Sequence, residues 1–82
     1  MRSETARREM LLRTLRTVAA CEGFANTVST YYLSRWHGDL YPKATTIHDL
    51  EEALRRDLGT LRREGKVRRA PGYPAAWEAL DV

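Results

Sequence analysis

Residues 46–69 read TIHDLEEALRRDLGTLRREGKVRR, and the spacing inside this stretch decides what the chain builds. Ile47, Leu50, Leu54, Leu58 and Leu61 recur at intervals of three and four. Such residues lie one above another on a helix, so they form a single apolar stripe. Thr45 or Thr46 supplies the N-cap, and Asp49 suits the positive end of the helix dipole. Gly59 costs about 1 kcal/mol against Ala inside a helix. It implies either a closely approaching neighbour or a break at Leu58-Gly59. Leu61 stays in phase with the stripe, which predicts one helix over 46–64, ended by Gly65.

Working outward from this helix, residues 66–70 and 75–80 read as two short strands. Pro71-Gly72-Tyr73-Pro74 between them is a dense turn signal, giving a hairpin over about 66–80. Upstream, Leu11, Leu15, Val18 and Ala19, flanked by Leu12, predict a helix over about 4–22, with Gly23 at its C-terminal end. Residues 27–37 carry strand-forming Thr27, Val28, Thr30, Tyr31 and Tyr32. Yet Asn26 is a good N-cap, and Val28, Tyr32 and Trp36 fall at helical spacing, so a helix is expected there too. Pro42 biases Tyr41 away from helical geometry, so 38–44 is a turn.

An 82-residue chain with 43% hydrophobic and 30% charged residues is one soluble domain, 1–82, mainly α with a small β-hairpin. Its core is thin and leaves little room for a deep substrate pocket. No apolar run nears the roughly 20 residues of a membrane span, and none follows Met1-Arg2-Ser3-Glu4 as a signal peptide would. The lone Cys21 has no disulfide partner. The expectation is a cytoplasmic protein with no membrane partner. The net charge is +3, and Arg62, Arg63, Lys66, Arg68 and Arg69 face only Glu64 within residues 61–70. That cluster fits phosphate.

Leu58-x-x-Leu61-x-x-x-Gly65-x-Val67, then Arg68-Arg69, a turn and a strand with Trp77, resembles the winged helix-turn-helix superfamily of DNA-binding domains. The resemblance implies a three-helix fold with a basic hairpin wing. It also implies a small transcriptional regulator that binds duplex DNA sequence-specifically, with helix 3 in the major groove and the wing on the backbone. The DNA-binding candidates are Thr45, His48, Arg55, Arg56 and Arg63 on or beside helix 3, and Lys66, Arg68, Arg69 and Tyr73 on the wing. Asp49 and Glu52 stand where helix 3 would meet the groove, and carboxylates repel phosphate, although an acid can accept from cytosine N4. Glu51 with Arg55 and Glu52 with Arg56 are i, i+4 pairs that temper those arginines. The alternative is an interaction module that docks through this face onto transcription or recombination machinery.

Other constellations read more plainly. Tyr31, Tyr32, Trp36 and Trp77 suggest a base-stacking platform, but helical spacing favours core aromatics, with Trp77 beneath the hairpin. His48 and Glu52 make two metal ligands without a third. Ser34, His37 and Asp39 lie close in sequence, but no nucleophile elbow or phosphate loop accompanies them, so no enzyme, metal or cofactor is expected. Met10, Thr14, Thr17 and Cys21 form a second stripe on helix 1, a surface for a homodimer or for the chain's own wing or C-terminus.

Overall fold

A computed structural model describes residues 4–20, 27–72 and 75–80. Along it run α1 (Glu4–Ala20), β1 (Val28–Ser29), α2 (Thr30–His37), a 3₁₀ turn (Gly38–Leu40), α3 (Ile47–Arg63), β2 (Val67–Ala70) and β3 (Ala76–Ala79). The architecture is mainly helical with a small antiparallel sheet of strand order β1-β3-β2. No described helix is long and apolar enough to cross a membrane.

α3 follows from its stripe. The Thr46 hydroxyl caps it by accepting the Asp49 backbone N–H at 3.1 Å. At the far end Gly65 turns left-handed, with φ 75°. The Lys66 N–H then reaches the Leu61 carbonyl and the Gly65 N–H reaches that of Arg62, each at 3.0 Å. This closure satisfies carbonyls that the last turn leaves free. Leu54, Leu58 and Leu61 are buried, Leu50 is half-buried, and Ile47 is 56% exposed. The inward stripe therefore starts one step later than its spacing predicts. The helix does not break at Gly59. Nor does a neighbouring helix crowd it: a Cβ there would meet only Arg63 Nη1, at 3.8 Å.

α1 buries Leu11, Leu12 and Leu15, with Met10 and Val18 packed alongside. Ala19 is exposed, so the apolar face is rotated toward Leu12 relative to the expected one. Of the proposed dimer stripe, Met10 packs on the core and Thr14 Oγ1 lies 2.6 Å from His37 Nε2 of α2. Two of the four stripe residues are thus used inside the chain, and Thr17 is exposed. Cys21, Gly23 and Asn26 lie outside the described residues.

Residues 27–37 depart from the expected single helix. Val28 and Ser29 are extended, and α2 starts at Thr30, capped by Ser29 Oγ, which accepts the Tyr32 N–H at 3.2 Å. Taking Val28 out of the helix shifts which residues face the core. Leu33 and Ser34 turn inward, while Tyr31, Tyr32 and Trp36 are 49%, 53% and 52% exposed. They are not the core aromatics that their spacing suggests.

The hairpin forms with Val67 opposite Ala79, Arg68 opposite Glu78, Arg69 opposite Trp77 and Ala70 opposite Ala76. The Leu80 N–H extends the pairing to the Lys66 carbonyl at 3.0 Å. β1 adds a third strand, with Val28 opposite Trp77. Trp77 is buried under the hairpin as expected, and its Nε1–H donates to Thr30 Oγ1 at 3.1 Å. A buried indole needs such an acceptor.

Candidate nucleic-acid interface

The inward half of α3 holds the outward half in place. Leu54, Leu58 and Leu61 fasten the helix to the core, and one acid joins them. Asp57 is only 5% exposed. It accepts from Arg7 Nε at 2.7 Å, Arg7 Nη2 at 3.2 Å and Tyr41 Oη at 2.5 Å. Arg8 Nε stands 3.8 Å away. The Arg7 guanidinium also covers the Tyr41 ring at 4.9 Å. Burial of an acid requires this kind of compensation. The hydrogen bond to Asp57 raises the Arg7 pKa above its ordinary value. Burial, and then the bond to Asp57, pushes the Tyr41 phenol well above 10. Three segments meet here: α1, the turn before α3, and α3 itself. The sequence reading overlooks this cluster. Its signal is an acid three residues after Leu54 and one before Leu58, on the apolar side of the helix.

The outward face carries Thr45, His48, Asp49, Glu52, Arg56 and Arg63, all exposed. Thr45 Oγ1 donates to the Asp49 carboxylate at 3.1 Å. Glu51 takes Arg55 at 3.4 Å. The expected Glu52–Arg56 pair does not form, and Arg56 makes no ion pair among the described residues. Arg63 donates to Thr60 Oγ1 at 3.1 Å, and Thr60 donates to the Arg56 carbonyl at 3.2 Å. Glu52, Arg56, Gly59, Thr60 and Arg63 border one shallow depression. Asp49 joins His48 and Glu52, with one ligand atom of each within 4.8 Å of the others. The third ligand missing from the sequence reading is therefore nearby, in an exposed cluster at the helix N-terminus.

The hairpin divides its cations. Strand alternation puts Arg69 on the same side of the sheet as Val67 and Trp77, and Arg68 on the other. Arg68 is ion-paired with Glu78 across the strands, and Lys66 lies 3.6 Å from Glu64. Arg69 is exposed and makes no ion pair among the described residues. Tyr73, at the turn, lies outside them.

A larger groove of about 870 Å³ opens beside the start of α3. Glu4, Asp39, Asp49 and Glu52 line it with Lys43 and Arg56, over Tyr41 and Pro42. Arg56 borders both this acidic groove and the depression that Gly59, Thr60 and Arg63 line farther along α3. In the comparisons with known proteins, the chain matches no family model, no curated relative and no solved structure.

Proposed function

We propose that this chain is a winged-helix protein that binds duplex DNA as a small transcriptional regulator. In this reading α3 enters the major groove and the hairpin wing lies on the adjacent backbone. One observation carries it: Arg56 on α3 and Arg69 on the wing are exposed cations free of ion pairs among the described residues. Such side chains reach phosphates and guanine edges without first breaking a salt bridge. The element order supports the fold half of the reading, with three helices followed by a hairpin and Gly65 turning α3 into it.

Gly59 adds to this reading. It lines the outward depression, and among the described residues a Cβ there would meet only the end of the Arg63 side chain. Its helix-weakening effect has no internal compensation, whereas an incoming partner gains close approach to the backbone.

The second reading, a protein-docking module, draws on Asp49, Glu52 and the acidic end of the groove. Salt dependence separates the two. On random duplex at two salt concentrations, DNA binding gives a fall in log K with log salt of about 0.9 per phosphate neutralised. Arg69→Ala should flatten that slope by about one unit on every duplex, while Arg68→Ala should change it less, since Arg68 is already paired with Glu78. Arg56→Ala should weaken a preferred sequence by about 1–3 kcal/mol relative to random DNA. Absence of duplex binding at low salt would remove the DNA reading and leave the docking module.

A further inference from the structure

Of the four exposed large hydrophobic residues among those described, three lie on α2. Tyr31, Tyr32 and Trp36 are each about half exposed, on a helix of eight residues. Single exposed aromatics are ordinary, but three joined by successive ring contacts are not. Tyr32 and Trp36 rings lie 5.8 Å apart at 33°, and Tyr31 meets Tyr32 edge-on at 5.6 Å. Arg35 lies 5.7 Å from the centre of the Tyr31 ring and donates to its hydroxyl at 2.9 Å. α2 contains no acid. The nearest in sequence, Asp39, lines the groove beside Arg7 and Tyr41.

We propose that the Tyr31–Tyr32–Trp36 face, with Arg35, is a stacking platform for unpaired bases of a single-stranded nucleic acid. Size and charge select this occupant. An aromatic side chain presents about 150–250 Å², so three half-exposed ones offer roughly 225–375 Å². A second copy of the chain would need about 800 Å² per partner for a stable interface. The face fits two or three bases better than a protomer. A cation beside π-faces with no acid on the helix complements a phosphate-linked strand of bases. An acidic peptide would meet the same charge but would bring no rings to stack.

The geometry also fixes the mode. A base inserted between two rings needs them about 6.8 Å apart, twice the roughly 3.4 Å stacking repeat. At 5.8 Å the Tyr32 and Trp36 rings are too close. Bases stack on their outer faces, and Arg35 has further N–H groups for phosphate beyond the one given to Tyr31.

Trp36 reports directly on the site, because the other tryptophan, Trp77, is buried. The whole chain is titrated with an oligothymidylate of about ten nucleotides, a length within the usual range of such sites. An abasic strand of equal length, a polyglutamate and the chain's own sedimentation are measured beside it. The oligothymidylate should quench Trp36, and the abasic strand and polyglutamate should not. Read by electrophoretic mobility shift, which does not need the Trp36 signal, Trp36→Ala and Tyr32→Ala should each weaken binding about 5- to 150-fold, the range expected for one lost stacking contact. Trp36→Phe should keep most of the affinity. Equal binding of the abasic strand, or unchanged affinity in both alanine variants, would overturn the proposal. So would equal quenching by polyglutamate, or a dimer that Trp36→Ala dissolves in a chain that binds no oligothymidylate. The duplex reading rests on α3 and the wing, so its loss through Arg69→Ala leaves this quenching as a separate result.

Discussion

α3 and α2 both carry apolar residues at helical spacing, and α3, from Leu50 onward, turns them inward while α2 does not. On α3 the leucines at 54, 58 and 61 go inward, and the charged residues, apart from Asp57, go outward or to the flanks. On α2 the aromatics stay at the surface, and a leucine and a serine turn inward. The difference lies at the start of each helix. Thr46 starts α3 one residue before Ile47, within the span its stripe predicts. Ser29 starts α2 later than the sequence suggests, because the strand pairing of Val28 with Trp77 takes the preceding residues. A stripe is informative only when its first residue belongs to the helix. On α2 a long-range strand contact decided that.

The sharpest test sets the two stripes against each other. Leu58 is fully buried. Leu58→Ala should cost about 2–5 kcal/mol, through lost transfer energy and the cavity left behind. Trp36→Ala, at an exposed position, should stay within about 0.5 kcal/mol. Urea denaturation of both variants measures the contrast. Equal losses would mean that the aromatics are part of the core after all.

The next effect concerns the polar residue on the inner side of α3. Asp57→Ala leaves Arg7 and Tyr41 without their acceptor. Arg7 keeps some contact with water, its side chain being 22% exposed, so the loss falls below that of a fully buried pair, at about 2–3 kcal/mol. Tyr41→Phe removes one hydrogen bond to a carboxylate and should cost about 1–2 kcal/mol. If the two mutations prove additive in a double-mutant cycle, Asp57 and Tyr41 do not act as one cluster.

The two helices also show which parts of the molecule were legible in the sequence. Local signals carried well: the α3 leucines from Leu50 on, the Thr46 cap and Gly65 all act within a few residues of themselves. β1 was missed because two residues carry no periodicity, and their partner strand lies far along the chain. The role of Asp57 is not legible locally, because its partners, Arg7 and Tyr41, sit on other segments. Of the candidate DNA residues, exposure on α3 was legible from the stripe, since whatever is not inward is outward. Which arginines stay unpaired was not: Arg68 finds Glu78 across the hairpin, and Arg56 does not take Glu52 one turn away.

The smallest effect belongs to the polar residue at the end of α2. His37 is half-buried against α1, with Nε2 2.6 Å from Thr14 Oγ1. Burial lowers its pKa below the ordinary 6.5, against an opposing pull from Asp39. A group depressed in the folded state contributes stability that is fully present above its unfolded pKa. That stability is lost as pH falls below about 6.5 toward the folded value, because the unfolded chain takes up the proton first. Acidification from pH 7.5 to about 5.5 stays above the range where most carboxylates titrate, so His37 should be visible in that window. His37→Gln keeps a polar side chain but cannot titrate. The wild type should lose more stability across the window than this variant, so the gap between them should shift against the wild type as pH falls. A gap independent of pH would show that His37 takes up its proton as readily in the folded chain as in the unfolded one. In that case the α1–α2 contact does not shield it.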